Sequence, residues 1–194
     1  MTLRRFVVGI SGASAPHLGI RILEALRATP GVESHLIVTR GAVRTLQLEA
    51  PDWPLDRVKA LAHVVHEDGD LAASISSGSF RHDGMVIAPA SMKTCGNLAY
   101  GNASNLLVRA ADVTLKERRP LVLVPRESPL HLGHLRTLVA LAETGAIIVP
   151  PMLAMYHEPK TVGDMLDHVV GKVLDLFGVE HALFKRWVGP ADRP

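Results

Sequence analysis

The chain has 194 residues, 47% hydrophobic and 21% charged, with 21 Lys and Arg against 19 Asp and Glu and a formal charge of +2. That composition suits one folded domain over residues 1–194 and excludes a disordered chain, and the scattered charge with few aromatic residues excludes a nucleic-acid surface. A single cysteine excludes a disulfide framework, no apolar run is long enough for a membrane, and residues 1–5 lead into an apolar run without a signal-peptide pattern, which points to the cytoplasm.

Residues 6–10 read as a buried strand. The run breaks into Ser11-Gly12-Ala13-Ser14 and passes to a helix with Leu18, Ile22, Leu23 and Leu26 on one face. Ser14 is the expected helix cap, and Pro16 fits the first turn because it has no N–H to leave unpaired. Strand, small-residue turn and helix set backbone N–H groups where they can hold a phosphate. Neither a G-x-G-x-x-G nor a P-loop is present, and an ordinary first βα turn has the same outline.

Thr29-Pro30-Gly31 stops the helix, residues 35–39 read as a second strand, and helices follow over 41–49 and 55–63. Residues 68–81 carry no period. A third strand over 85–88 ends at Pro89, with helices predicted over 90–100 and 105–118. A fourth strand (121–124), a helix (134–145), a fifth strand (147–149) and a last helix (161–177) complete the chain. Short Val/Ile/Leu-rich strands alternating with helices predict an α/β fold, a three-layer doubly wound parallel sheet of the Rossmann/flavodoxin-like kind.

In such sheets ligands bind beyond the carboxyl ends of the strands. The residues directly after the apolar runs are Gly12-Ala13-Ser14, Thr39-Arg40, Ser91-Met92-Lys93-Thr94 and Arg126-Glu127. Hydroxyls, backbone N–H groups and an arginine at one crest suit a phosphate-bearing ligand, a nucleotide or a flavin. The ten histidines show no H-x-x-x-H or H-E-x-x-H spacing with a carboxylate partner, so no metal is expected, and His131 and His134 read as a loop-to-helix turn. Cys95 reads as a buried thiol, Asp112 and Lys116 as an i,i+4 pair, and Glu49 taken alone as a solvated charge. No G-x-S-x-G elbow supports a serine nucleophile.

Seven segments carry a resemblance: Gly9-Ile-Ser-Gly-Ala-Ser14, Ser74-Ile-Ser-Ser-Gly-Ser-Phe80, Pro89-Ala-Ser-Met-Lys-Thr94, Arg109-Ala-Ala-Asp-Val113, Leu115-Lys-Glu-Arg-Arg-Pro-Leu121, Arg126-Glu-Ser-Pro-Leu-His131, and Pro150-Pro151 with Tyr156-His157. In this order, over nearly the whole chain, they resemble the UbiX-like flavin prenyltransferases. The resemblance implies transfer of a dimethylallyl group from dimethylallyl monophosphate to N5 and C6 of reduced FMN. The product is prenylated FMN, used by a UbiD-type decarboxylase, and the enzyme is a homo-oligomer, commonly a dodecamer.

By motif, Gly12, Ala13, Ser14, Thr39, Ser91, Met92, Lys93, Thr94 and Arg126 would bind FMN. Tyr156 and Lys172, with Arg126, would bind the dimethylallyl phosphate, and Lys116 and Glu127 would lie around that phosphate at a subunit boundary. Ser14 and Glu49 match the catalytic positions, Glu49 as a proton shuttle near the flavin, and the allylic cation would need a dry pocket. The family usually has Gly where this chain has Ala15, before Pro16-His17; Thr39 replaces a usual serine, and Lys172 stands where arginine is also common. Two readings compete with that of a flavin prenyltransferase: an FMN carrier without prenyl transfer, which the altered Ala15-Pro16-His17 turn supports, and a superfamily cysteine decarboxylase. The decarboxylase motif has an asparagine where this chain has Lys93.

Overall fold

A computed structural model describes residues 3–189. Six strands form one all-parallel sheet: β1 (Arg4–Ile10), β2 (Val32–Val38), β3 (Val64–Glu67), β4 (Gly84–Ala90), β5 (Leu121–Pro125) and β6 (Ile147–Ile148), in the order β3-β2-β1-β4-β5-β6. The helices are α1 (His17–Ala28), α2 (Arg40–Glu49), α3 (Leu55–Lys59), α4 (Met92–Ala99), α5 (Leu106–Lys116), α6 (Leu132–Glu143) and α7 (Val162–Leu176).

Alternation within the strands builds both cores. Phe6, Val8, Ile10, Val86, Ala88, Val122 and Val124 face α1 and α7, while Val7, Met85, Ile87, Leu121 and Leu123 face α4 and α5. Successive side chains of a strand point to opposite faces, so a sheet covered twice needs unbroken apolar runs. The predicted three-layer doubly wound sheet is what the chain adopts.

Four predictions about the elements are corrected. An edge strand, β3, goes unrecognised in the sequence because it pairs on one side only and alternates half-buried with exposed residues. Without it the order is the 2-1-3-4-5 of flavodoxin; with it, 3-2-1-4-5-6. The helix expected over 55–63 stops at Lys59. Pro89 does not end β4, which runs on to Ala90 because the register with β5 shifts there and no ladder N–H is required of the proline. The residues expected to be aperiodic, 68–81, do contain one 3₁₀ turn, Ser74–Ser76, whose Ile75 is buried.

His82, just before β4, is buried between Gly84 O (3.2 Å) and the Thr114 hydroxyl (3.3 Å). Burial, with the Arg119 charge nearby, lowers its pKa from 6.5 to about 4. The unfolded chain therefore takes up this proton first as pH falls, and the folded state loses stability between those values. The urea midpoint should drop steadily from about pH 6.5 to about 4, and His82→Gln should flatten that slope.

Candidate active site

The order of the strands reverses between β1 and β4, and the ends of β1, β2 and β4 surround a cleft of about 270 Å³. Gly12 reaches it from the turn after β1, Thr39, Arg40 and Gly41 from the start of α2, and Ser91, Lys93 and Thr94 from the start of α4. Both helices are hydroxyl-capped: Thr39 Oγ1 accepts from Ala42 N (3.2 Å), and Ser91 Oγ accepts from Thr94 N (3.2 Å). Each helix thus directs its unpaired first-turn N–H groups and positive dipole end to the cleft, beside the Arg40 and Lys93 side chains. Ser11 anchors the rim, since its hydroxyl donates to Pro89 O (2.9 Å) and accepts from Ser91 N (2.7 Å).

Gly12 and Gly41 touch backbone to backbone. A Cβ on Gly12 would stand 3.0 Å from the Gly41 Cα and carbonyl carbon, so glycine lets the two turns close on one another. The donor set fits a phosphate monoester: hydroxyls, two cations and two helix N-termini, with no metal needed. The cleft is smaller than pockets that enclose a drug-sized ligand, which suits holding one end of an elongated molecule.

Asp68, Asn97 and Asn105 also line the cleft and were not among the expected residues. Asn105 had a signal, since it precedes an apolar-periodic run and does cap α5 by accepting from Val108 N (3.0 Å). Asp68 had none, because it comes after the strand that the sequence did not reveal; its carboxylate accepts from Asn105 Nδ2 (2.9 Å) and Leu107 N (3.2 Å). Ala13 and Met92 do not line the cleft: Ala13 is buried, and Met92 packs against the core under α4.

Ser14 does not cap α1. Pro16 holds the cap position without a side-chain bond, and the Ser14 hydroxyl donates instead to Glu49 Oε2 at 2.8 Å, across 35 residues. The N–H of Ala15 donates to the same oxygen at 2.8 Å. The two residues singled out as catalytic are therefore in direct contact, at the end of α2. Glu49 is exposed in the chain rather than buried. Ala15 has φ +67°, so the turn keeps the left-handed, glycine-type conformation despite its alanine, at a cost of roughly 1–2 kcal/mol.

Arg126 and Glu127, just past β5, line a second cleft of about 370 Å³ with Leu130, Leu138, Pro150, Pro151 and Met152. Both are exposed, and Arg126 makes no ion pair among the described residues. Tyr156 and Lys172 line neither cleft. The Tyr156 hydroxyl lies 2.7 Å from His168 Nε2, and the Lys172 ammonium stands 4.0 Å from Asp175 Oδ2. Lys116 ends α5, paired with Glu117 at 2.5 Å beside Gly78, while Asp112 pairs with Arg109; the expected Asp112–Lys116 pair does not form. One chain thus assembles the cleft at the strand ends and the Ser14–Glu49 pair, and the cleft lined by Arg126 includes none of Tyr156, Lys172 and Lys116.

Among the described residues, no three His, Cys, Asp or Glu side chains are grouped as a metal would need. His131 caps α6, accepting from Gly133 N and His134 N, and stacks on His134, which is the expected packing turn. Cys95 is fully buried and its pKa is pushed up to about 12 by burial. Iodoacetamide should leave it unmodified in the folded protein at pH 8 and alkylate it in urea, as read by mass spectrometry.

The sequence profile of the Flavoprotein family matches residues 1–175. The flavin prenyltransferase UbiX of Thauera aromatica is 52% identical over 189 residues, 97% of this chain and 96% of that protein. UbiX of Escherichia coli K12 is 50% identical over 189 residues, 96% of this chain and 100% of that protein. Among solved structures, AnUbiX (PadA1) in complex with FMN and dimethylallyl pyrophosphate superposes with a TM-score of 0.94 at 45% identity, covering 96% of this chain and 98% of that one. A dodecameric FMN-dependent UbiX-like decarboxylase from Escherichia coli O157:H7 gives 0.93 at 50% identity, covering 95% and 100%.

Proposed function

The chain belongs to the UbiX-like flavin prenyltransferases of the Flavoprotein family, and from that membership we propose that it joins the dimethylallyl group of dimethylallyl monophosphate to reduced FMN. The observation that carries this reading is the crest itself: a phosphate cradle at the switch point, with Ser14 hydrogen-bonded to Glu49 beside it. Reduced FMN, when bound, supplies the nucleophilic ring positions N5 and C6.

The residues of the chain do the rest. Gly12, Thr39, Ser91, Lys93 and Thr94 hold the phosphate end of FMN, and Ala13 shapes the turn that presents Gly12 and Ser14. Met92 is a core support of the same loop, and Arg126 reaches the ligand from the end of β5. Breaking the allylic C–O bond releases phosphate, whose charge Arg126, Lys172 and the Tyr156 hydroxyl offset without a metal. Glu49 receives the proton released as the second bond closes.

Tyr156 and Lys172 both adjoin His168, while Arg126 lines a cleft that includes neither, and in this reading the groups meet across subunits, with Lys116 and Glu127 at the boundary. The relative from Escherichia coli O157:H7 is dodecameric, and the same kind of homo-oligomer would supply such boundaries here and enclose Glu49 at one of them. Prenylated FMN then passes to a UbiD-type decarboxylase. No described helix is long and apolar enough to cross a membrane.

Anaerobic incubation with FMN, dithionite and dimethylallyl monophosphate tests this. The released flavin should gain one five-carbon unit by mass spectrometry; unchanged FMN, tightly bound in repeated trials, would replace the reading with that of an FMN carrier.

A further inference from the structure

A carboxylate has two oxygens and about four acceptor sites, and its terminal torsion is soft, so a free glutamate presents either oxygen to a proton donor. Glu49 is not free in this sense. The Ser14 hydroxyl and the Ala15 N–H both lie 2.8 Å from Oε2, and Oε1 accepts no hydrogen bond among the described residues.

The backbone supplies a separate observation. Ala15 is one of three described non-glycine residues at positive φ, a conformation that disfavours any side chain and persists where its surroundings hold it. Here it precedes Pro16, so the turn into α1 is made by two residues of fixed geometry, and the N–H of the first is spent on the last residue of α2. Leu18 N returns to Ala15 O at 3.1 Å, which ties the same residue to the first turn of α1. The strained residue is therefore the joint between α1 and the end of α2.

We infer that the main-chain N–H of Ala15 is a positioning group for Glu49: with the Ser14 hydroxyl it pins Oε2 and leaves Oε1 as the oxygen that takes the proton. The inference rests on the prenyl-transfer reading for the source of that proton. As the second bond, the carbon–carbon bond at C6, closes, the bonding pair of the broken C6–H bond stays with the flavin ring and the proton goes to Oε1. Proton transfer demands an acceptor within hydrogen-bond reach and correctly aligned, so a carboxylate free to turn would lose rate without losing affinity.

The test replaces Ala15 by lactic acid through nonsense suppression, which turns the amide into an ester and removes the N–H alone. Carboxylate infrared bands of Glu49, isolated in [¹³C]glutamate-labelled protein by difference against Glu49→Gln, report whether the two oxygens are unequal, with no ligand present. The splitting characteristic of a one-sided carboxylate should appear in the wild type and narrow in the ester, where the Ser14 hydroxyl alone still addresses Oε2. In parallel, dimethylallyl transfer should fall about tenfold with FMN affinity retained. Ala15→Gly keeps the N–H and should keep the splitting while raising Tm by a few degrees, because glycine adopts positive φ freely.

An unchanged splitting in the ester overturns the hydrogen bond, and a changed splitting with full transfer rate overturns the positioning role. If the wild type itself transfers no dimethylallyl group, the prenyl-transfer reading fails, and the infrared bands still decide whether Ala15 holds Glu49.

Discussion

Replacing Glu49 by glutamine should lower dimethylallyl transfer by about 10²–10⁴-fold while leaving FMN affinity unchanged. The amide oxygen of glutamine would take the two donors, Ser14 Oγ and Ala15 N, that now address Oε2. Its NH₂ would then stand where Oε1 stood, a donor in place of an acceptor. Shape and local hydrogen bonds are kept, and only the capacity to receive a proton is lost. FMN affinity should survive because Glu49 is not among the residues that line the cleft proposed to hold its phosphate. Affinity is read by quenching of flavin fluorescence and transfer by mass spectrometry of the released flavin under anaerobic conditions. Wild-type product formation by Glu49→Gln would remove the carboxylate from the mechanism and leave proton transfer to solvent or another side chain.

Gly19→Ala should unfold the protein at a markedly lower temperature. Gly19 lies in the first turns of α1 at the point where the helix crosses the sheet. An added Cβ would stand 2.5 Å from the Ala88 carbonyl oxygen and 2.7 Å from Ile10 Cγ1. The first of these is backbone of a central strand and cannot swing aside as a side chain would. Overpacking of this kind costs about 3 kcal/mol, which for a chain of this size corresponds to a Tm drop of roughly 6–12 °C.

The same shift would push α1 off the sheet and move the Ser14–Ala15 turn that feeds it, so Glu49 would lose its partners along with the stability. Gly96 provides the contrast within α4: its Cβ position meets nothing within 4 Å. Gly96→Ala should therefore hold or raise Tm, because alanine is the better helix former by about 1 kcal/mol. A Gly19→Ala protein as stable as wild type would mean that α1 has room to lift from β4.

These two residues mark where sequence and tertiary structure divide the information. The layered fold is legible along the chain, because burial on both faces of a parallel sheet leaves unbroken apolar runs that are visible locally: Val7 and Val8, Met85 to Ala88, Leu121 to Val124. Legible too is the hydroxyl and glycine part of the cleft, since in a parallel sheet everything directly after a strand arrives at one crest; Gly12, Thr39, Ser91, Lys93 and Thr94 all do. The motif resemblance singled out Ser14 and Glu49 as a catalytic pair.

How they are joined emerges from the folded chain. Ser14 looked like a helix cap because a sequence displays a residue's neighbours along the chain, and its partner here faces it from 35 residues away. That partner was set by the closing of two βα turns on each other at Gly12 and Gly41. Edge strand β3 was invisible for a related reason: a strand paired on one side keeps a half-exposed, mixed pattern, and with it Asp68 went unnoticed at the cleft. The left-handed turn at Ala15 was equally undecided, since alanine by itself prefers negative φ and only the contacts of α1 and α2 hold it at +67°. Periodicity records how each residue meets the solvent or core next to it, whereas hydrogen bonds between distant turns depend on strand order and loop closure, which no local pattern encodes.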